Sequence, residues 1–345
     1  MSADRLNLRG LARTELAGLL NEMEQPAYRA KQIFSWLHQK RVSTFDEMTN
    51  LPASFRQSLA QRCTIGGVKV QKRLVSSIDG TVKYLYGLDG GDLVEGVLMG
   101  HRHGNSLCIS SQAGCRMGCA FCASALGGLS RNLTTGEILG QVYAAADDIA
   151  PERIGSIVMM GVGEPLDNFE NVCRFLELVS HPDGFGLSLR RISLSTCGLV
   201  DEIYRLAEKK YPVTLSVSLH AANDDLRSEL MPINRKYGIA ALLKACRDYF
   251  EATGRRVSFE YSLMAGKNDA VTDAKALAAL LKGRGDHVNL IPHNPVKERA
   301  LTRSNRETVL AFQKELEIRG INATIRRELG ADLDAACGQL RRTDG

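Results

Sequence analysis

Long apolar runs are absent from this chain. Its 345 residues contain no stretch close to the ~20 consecutive apolar residues that a membrane-spanning helix requires. The first ten residues, MSADRLNLRG, also lack the apolar core of a secretion signal. We therefore expect a cytoplasmic protein that does not associate with a membrane. Its nine cysteines should stay reduced and serve as ligands, catalysts or core residues.

A strong excess of charge, internal repeats and low-complexity segments are missing as well. The formal net charge of +5 is mild, so it permits a nucleic-acid partner without demanding one. The length suffices for one large α/β domain and a smaller one, with a substantial buried core. Length and composition together indicate a soluble enzyme.

The densest cysteine cluster lacks a fourth ligand. Cys115, Cys119 and Cys122 lie in GCRMGCAFC with the spacing C-x3-C-x2-C, and no further cysteine or histidine closes the set. Closely spaced thiolates bind a soft metal centre, either zinc or an iron–sulfur cluster. Structural zinc needs four protein ligands, whereas three on one loop suit a [4Fe–4S] cluster with one open iron. The alternative is a zinc knuckle that takes Cys108, in an apolar strand-like run, as its fourth ligand.

The first 65 residues show a helical pattern. After Pro26, apolar residues of YRAKQIFSWLHQKR recur at i, i+3, i+4 and i+7, and a second helix, ASFRQSLAQR, follows Pro52. Basic side chains occupy the other faces, which suits either RNA contact or an ordinary solvated surface. Residues 66–100 change to short alternating runs separated by the Asp-Gly dipeptides 79–80 and 89–90, which predicts a β-meander.

From about residue 105 onward, strands alternate with helices. The predicted strands are 106–111, 155–160, 191–196, 213–219, 256–263 and 287–291. The predicted helices are 134–149, 168–180, 199–210, 222–230, 239–253 and 270–284. Six βα units in a row imply a parallel sheet that curls toward a barrel, and a closed barrel needs eight strands. Residues 321–326 could add one strand, so we predict a partial barrel whose open side admits a large substrate.

Polar residues follow several of these strands. Ligands of parallel βα folds sit at the carboxyl ends of the strands. The residues at these ends are Gly163, Glu164, Ser195, Ser218, His220 and Asn294. Each alone could simply cap a helix or bridge a turn, but their shared position at one edge favours a binding site.

Three further residues call for an explanation. Cys337 precedes a glycine in a polar C-terminal segment that makes a poor core element, and Cys108 lies seven residues before the cysteine motif. Glu95 ends an apolar run, where burial without a partner would be costly. We interpret the remaining cysteines as small apolar side chains; they are Cys63, Cys173, Cys197 and Cys246.

Taken together, the motifs resemble those of the radical S-adenosylmethionine (SAM) methyl-synthase family, which contains the RNA methyltransferases RlmN and Cfr. The matching runs are YRAKQIF, CISSQAGCRMGCAFCAS, RNLT, GVGEPLDN, SLSTCG, SLHAANDDLR, LMPIN, HVNLIPHNPV and DAACGQL. The resemblance implies an α/β fold, a partial (β/α)6 barrel of radical SAM type with a small N-terminal helical domain. It assigns 1–65 to an RNA-binding accessory domain, 66–100 to a β-rich connector and 101–345 to the barrel with its C-terminal catalytic cysteine segment.

The resemblance also implies roles for single residues. The cysteine motif would hold a [4Fe–4S] cluster that cleaves SAM to a 5′-deoxyadenosyl radical. Cys337 would carry the methyl group, Cys108 would be its disulfide partner, and Glu95 would be the general base. The SAM site would consist of Gly163, Glu164, Ser195, Ser218, Leu219, His220 and Asn294.

The substrate follows from the resemblance alone. It implies methylation at C2 of adenine 2503 of 23S rRNA, in the usual rRNA numbering, and of adenine 37 of tRNA. An electron-donor protein such as flavodoxin and a monomeric state are expected too. Basic residues of the N-terminal helices and the pair Arg326–Arg327 are candidate phosphate contacts. Methylation at C8, a different radical SAM activity such as glycyl-radical activation, and a non-catalytic metal-binding RNA adaptor remain alternatives.

Overall fold

The N-terminal part of the chain is a small helical unit. The computed structural model describes residues 5–283 and 285–343, with the backbone alone for 342 and 343. The unit consists of β1 (Leu6–Asn7), α1 (Arg13–Glu22), α2 (Tyr28–His38), α3 (Ala53–Arg62) and β2 (Cys63–Thr64). The repeating apolar residues of α2 are buried, as their spacing predicts; they are Ala30, Ile33, Phe34 and Leu37.

This unit packs against the first helix of the barrel, α4 (Thr135–Asp148). The Nδ1 atom of His38 lies 2.8 Å from the hydroxyl of Tyr143, and the guanidinium of Arg9 lies 5.4 Å from the centroid of the Tyr143 ring. Arg41 forms an ion pair of 2.7 Å with Asp147. The N-terminal unit is therefore fixed to the barrel by aromatic, hydrogen-bonding and ionic contacts.

The predicted meander is part of the main sheet. Its strands are β3 (Lys69–Val75), β4 (Val82–Gly87) and β5 (Leu93–His101), and β5 pairs antiparallel with β6 (Gly104–Cys108). The chain then forms a two-stranded ribbon, β7 (Gln112–Gly114) with β8 (Leu129–Asn132). The domain boundaries at residues 65 and 100 stay predictions, since the meander adds strands to the edge of the barrel sheet.

The barrel sheet contains seven parallel strands, the first of which is β6. The others are β9 (Ile154–Met159), β10 (Ile192–Thr196), β11 (Thr214–Ser218), β12 (Val257–Leu263), β13 (His287–Pro292) and β14 (Asn322–Ile325). They pair in chain order from β6 to β14, and the path of paired strands ends at β3 and β14, so the sheet does not close. A last strand, β15 (Arg342–Thr343), pairs antiparallel with β5. The predicted partial barrel is confirmed, and the optional strand at 321–326 is present.

Helices connect the strands on the outside of the sheet. They are α5 (Phe169–Ser180), α6 (Val200–Lys209), α7 (Asp224–Leu230), α8 (Ile239–Thr253), α9 (Val271–Leu281) and α10 (Arg306–Ile318). The predicted helix 270–284 extends to residue 284, which lies outside the described residues. Strand β6 is shorter than predicted because the following residues turn toward the β9–α5 loop, where Ser111 and Gln112 both donate from their backbone nitrogens to the carbonyl of Val162. Within residues 5–283 and 285–343, no helix has the length and apolar character to cross a membrane.

Candidate active site

The cysteine motif forms a loop between β7 and β8, at the carboxyl edge of the parallel strands. Gly114 starts this loop with φ +83°, and a Cβ there would lie 1.9 Å from the carbonyl oxygen of Gly128, so only glycine fits. The backbone nitrogen of Cys115 donates to the same carbonyl at 2.9 Å. Cys115, Cys119 and Cys122 all line one cavity of about 150 Å³.

Burial in this cavity disfavours the thiolate form of the three cysteines unless a cation accompanies them. Burial is the largest effect and raises the pKa of all three, and the pKa of Cys115 is about 12. Neighbouring motif thiols also raise the pKa of Cys115 and Cys119, and Cys337 raises that of Cys122. Metal coordination favours the thiolate form that burial disfavours. Among the described residues, no three His, Cys, Asp or Glu side chains form a group that could hold a single metal ion. Three thiols on one loop around one cavity fit a cluster of several irons, which is wider than a single ion.

Cys108 does not belong to this cavity. It lies at the end of β6, is 5% exposed, and lines a neighbouring cavity together with Cys337. Burial raises its pKa to about 12, and Cys337 raises it further. The zinc knuckle with Cys108 as fourth ligand is therefore not formed in the described part of the chain.

The turn after β9 lies against the cysteine-loop cavity. Gly163 has φ +105°, and a Cβ there would be 2.5 Å from that of Gln112. Glu164 is 4% exposed; its Oε2 accepts from the backbone nitrogen of Cys197 at 2.7 Å and its Oε1 from that of Leu166 at 3.1 Å. Burial raises the pKa of Glu164, while these donors lower it. The two hydrogen bonds hold the carboxylate in a fixed orientation at the cavity wall.

Three of the other predicted SAM-site residues line the same cavity, and two do not. Ser195, Ser218 and His220 lie at its wall. The side chain of Leu219 is fully buried, and its backbone nitrogen donates to the carbonyl of Glu260 at 3.0 Å. Asn294 lines the neighbouring cavity, where its Nδ2 donates to the carbonyl of Cys337 at 3.1 Å.

His220 is neutral in this environment. Its φ is +55°, its Nδ1 accepts from the backbone nitrogen of Ser262 at 2.9 Å, and its ring packs edge-on against Phe121 of the cysteine loop. Burial, and less strongly the charge of Arg227, lower the pKa of His220 to about 3. The ring therefore supports the loop as an uncharged group.

Cys337 lies where the two cavities meet, and it lines both of them. The backbone nitrogen of Ala123 donates to the carbonyl of Gly338 at 2.7 Å, and the Ser124 hydroxyl donates to the carbonyl of Leu340 at 2.7 Å. The C-terminal segment is thus bound directly to the residues that follow Cys122. These contacts place the Cys337 thiol between the cysteine loop and Cys108.

Arg326 is a site residue that the sequence interpretation missed. It also lines both cavities, and its Nη1 lies 3.4 Å from the sulfur of Met160. The pKa of its guanidinium is raised, first by Cys337 and further by the buried carboxyl group of Glu260. The expectation that Arg326 and Arg327 contact phosphate stays a prediction; Arg326 lines both cavities, and the more exposed Arg327 lines one of them.

Glu95 holds the C-terminal segment in place. It forms an ion pair of 2.8 Å with Lys83, and its Oε2 accepts from the backbone nitrogen of Arg341 at 3.0 Å. The Lys83 ammonium also donates to the carbonyls of Leu333 and Asp334, at 3.2 and 3.1 Å. Glu95 is 7% exposed and is not among the residues that line the two cavities. In this arrangement it positions the segment that carries Cys337.

The geometry combines two kinds of sulfur chemistry. One cavity offers three thiols for a metal cluster beside a wall of carboxylate, hydroxyl and imidazole groups. The other offers two free thiols, Cys108 and Cys337, beside a guanidinium. Such a site can generate a reactive species next to a cysteine that carries a group, and then release that group by forming a disulfide.

Comparisons with known proteins identify the family and the fold. Residues 6–65 match the family model of the ribosomal RNA large subunit methyltransferase N-terminal domain, and residues 109–281 match that of the radical SAM superfamily. A radical SAM methyltransferase from Sphaerobacter thermophilus has a crystal structure with TM-score 0.94 at 44% identity, covering 97% of this chain and 99% of that one.

Curated relatives extend over almost the whole chain. A probable dual-specificity RNA methyltransferase RlmN from Pelotomaculum thermopropionicum is 52% identical, over 98% of this chain and 92% of its own length. The corresponding protein from Lachnoclostridium phytofermentans is 49% identical, over 99% of this chain and 95% of its own length. The chain therefore belongs to the RlmN family of radical SAM RNA methyltransferases, whose cofactors are a [4Fe–4S] cluster and SAM.

Proposed function

We propose that this protein methylates C2 of an adenine in 23S rRNA and in tRNA by way of a methyl group carried on Cys337. The adenines would be those at positions 2503 and 37 of the two RNAs. The observation that carries the proposal is the position of Cys337, between the cysteine loop and the buried thiol of Cys108. The relatives named as dual-specificity RNA methyltransferases, and the N-terminal match to a ribosomal RNA large subunit methyltransferase domain, support an RNA substrate.

Adenine C2 demands more than an ordinary methyl transfer. This carbon lies between two ring nitrogens and is electron-poor, so it is a weak nucleophile. The thiols of Cys115, Cys119 and Cys122 would hold the cluster, and SAM would lie beside it. SAM's contacts would come from the cavity wall at Gly163, Glu164, Ser195, Ser218 and His220. The resemblance adds Leu219 and Asn294, whose side chains lie outside that wall. When bound, the cluster and SAM supply the methyl group and the radical that removes a hydrogen atom from that methyl group.

Of the two free thiols, Cys337 carries the carbon and Cys108 releases it. Cys337 carries the activated carbon to the adenine, so a carbon–carbon bond links the RNA to the protein. Glu95 would accept the proton from C2, which requires that it leave its ion pair with Lys83. The unpaired electron of the adduct would return to the oxidised cluster, which supplied one electron for SAM cleavage. The sulfur of Cys108 attacks that of Cys337, the carbon–sulfur bond breaks, and the carbon leaves with the electron pair and takes up a proton. The two cysteines end as a disulfide, and a two-electron reductant restores the thiols.

Electrostatics around the pair supports this division. Burial raises the pKa of Cys108 to about 12, so it is a thiol in the resting protein, and the positive charge of Arg326 favours its thiolate. The same guanidinium lies beside Cys337. Arg326 is thus placed to stabilise negative charge on either sulfur while the disulfide forms.

The remaining expectations are parts of the same proposal. Residues 1–65 would bind RNA, and 101–345 would carry the chemistry, with 66–100 between them. A flavodoxin-like protein would deliver electrons to the cluster in the cytoplasm, where reductants are available to reset the cysteines. The protein would act as a monomer.

Nucleoside mass spectrometry tests the proposal. Unmodified 23S rRNA fragments and tRNA are incubated anaerobically with reconstituted protein, a reductant and SAM. We expect 2-methyladenosine from the parent protein and from the control Cys173→Ala, which removes a buried thiol of α5, and none from Cys337→Ala. Finding the 8-methyl isomer alone would overturn the assignment of C2. Finding no methylated adenosine despite SAM cleavage would overturn the assignment of the substrate.

A further inference from the structure

Exposed basic residues gather at the edge of the sheet opposite the candidate active site. The carboxyl ends of the parallel strands point to the cysteine loop, so their amino ends meet at the other edge. Outside the α-helices, and within five residues of the start of a strand from β9 to β13, this edge carries six exposed cations. They are Arg153, Arg190, Arg191, Lys210, Arg256 and Lys282, which together we call the basic rim.

Within the described residues, the members of the basic rim form no ion pairs, in contrast to arginines at the contact between the N-terminal unit and the barrel. There, Arg13 pairs with Asp183 at 2.8 Å and Arg174 with Glu15 at 2.9 Å. A carboxylate is present at this edge, but Glu152 accepts a hydrogen bond from Asn105 at 2.7 Å instead of pairing with the rim. Like charges held together without partners repel one another, so the arrangement favours an anionic ligand.

The spacing of the strands gives the basic rim the dimensions of a nucleic-acid contact. Adjacent strands lie about 4.8 Å apart, so the five strands from β9 to β13 extend over about 19 Å. Phosphates along one strand of a duplex follow each other at about 3.4 Å along the axis. The basic rim therefore matches a backbone segment of roughly five or six phosphates.

The basic rim also adjoins the N-terminal unit. Arg41 of that unit pairs with Asp147 at the end of α4, six residues before Arg153. Arg13 of α1 pairs with Asp183, in the segment that leads to Arg190 and β10. The basic rim therefore lies next to the predicted RNA-binding helices.

We propose that the basic rim binds the phosphate backbone of the RNA substrate, outside the nucleotide that enters the active site. This inference rests on the proposed function, since it takes the substrate to be RNA. An acidic electron-donor protein is the other polyanionic candidate, but it needs to approach the cluster. Strands of five to seven residues at about 3.3 Å each place the basic rim roughly 17–23 Å from the edge that carries the cysteine loop.

A matched pair of variants tests the basic rim. The rim variant replaces Arg190, Arg191, Lys210 and Arg256 by glutamine. The control variant removes the same charge from the outer faces of α8, α9 and α10, at Arg247, Lys275, Arg306 and Lys314, which are exposed and form no ion pair in the described residues. Affinity for a long 23S rRNA fragment is measured across a salt series, and methylation is measured on that fragment and on a short stem–loop.

The slope of log affinity against log salt decides the outcome. We expect the slope of the rim variant to be shallower by about one for each phosphate that the rim no longer neutralises, up to about four, and that of the control to stay close to the parent's. Methylation of the short stem–loop should be unchanged in both variants. Slopes that agree between rim and control variants would overturn the proposal, as would slower reduction of the cluster with unaltered RNA binding. Failure of the parent protein to methylate either RNA would instead contradict the proposed function, and the binding slopes would still decide the basic rim.

Discussion

The two groups of functional cysteines are assembled in different ways. The cysteine loop brings Cys115, Cys119 and Cys122 together within eight residues, closed by the β7–β8 ribbon. Cys108 and Cys337 come from opposite ends of the barrel sequence and meet because the C-terminal segment is bound to Asn294 and Glu95. The loop is a local device that a motif can encode, whereas the pair depends on the tertiary structure around it. The two groups should therefore fail separately when they are perturbed.

Alanine substitutions in the two groups should produce the largest contrast. Cys119→Ala removes one of three cluster ligands, so we expect loss of iron, of SAM cleavage and of methylation. Cys337→Ala removes the carrier alone, so iron content and SAM cleavage should persist while methylation is abolished. Iron and sulfide analysis with nucleoside mass spectrometry measures both. Loss of iron in Cys337→Ala would show that the cysteine loop and the Cys108–Cys337 pair do not fail separately.

Substitution of Arg326 tests whether Cys108 and Cys337 need a positive charge beside them. We expect Arg326→Gln to lower the methylation rate about tenfold or more, because removing a hydrogen bond to a charged group costs about 1.5–3 kcal/mol. Arg326→Lys, which keeps the charge, should recover part of the rate. The cluster should form equally well in both variants, as judged by its absorption. Equal rates in the two variants would show that charge at this position is irrelevant.

The ion pair between Lys83 and Glu95 tests how the C-terminal segment is held. Lys83→Met leaves a buried carboxylate unpaired, and breaking a buried pair in this way typically destabilises by about 3–5 kcal/mol. Both side chains retain some exposure, so the lower end is expected here. Urea unfolding measures the change, and limited proteolysis shows whether the segment after residue 330 is released first. Lys236→Met, at an exposed pair with Asp201, is a suitable control, since such pairs contribute little.

Substitution of His220, whose ring packs against the cysteine loop, should have the smallest effect of these variants. Its pKa is about 3 in the folded protein and 6.5 in its ordinary state, so the unfolded chain binds a proton that the folded chain does not. The stability that the neutral ring contributes is present above pH 6.5 and is lost as the pH falls toward 3. Unfolding free energies measured at pH 7 and pH 5 should differ less in His220→Asn than in the parent. An unaltered difference would place the acid sensitivity elsewhere.

Sequence periodicity predicted the elements of the barrel well. Helices α3 and α8 begin and end at the predicted residues, Ala53–Arg62 and Ile239–Thr253. Pro52 marks the start of α3, and Gly254, with φ +65°, marks the end of α8. Helix α10 was not predicted, although Asn305 caps it by accepting from the backbone nitrogen of Thr308 at 2.8 Å. Local patterns define single elements, and the elements then place the cysteine motif correctly.

Long-range placement was the part that sequence could not supply. Nothing in the segment IRREL distinguishes Arg326, which points into the site, from Arg327, which is exposed. The position of Asn294 in the Cys108–Cys337 cavity rather than in the cysteine-loop cavity also depends on how the β13 end meets the C-terminal segment. Such distinctions arise from the register of strands and the path of loops, which no spacing rule encodes.

The central claim is that Cys337 carries the carbon and Cys108 releases it. Cys108→Ala should methylate no free RNA and should instead accumulate RNA covalently attached to the protein. After nuclease and protease digestion, mass spectrometry is expected to find an adenosine joined through one carbon to the peptide that contains Cys337. The double variant Cys108→Ala/Cys337→Ala should give no attachment. Free methylated adenosine from Cys108→Ala, or attachment at another residue, would contradict the account.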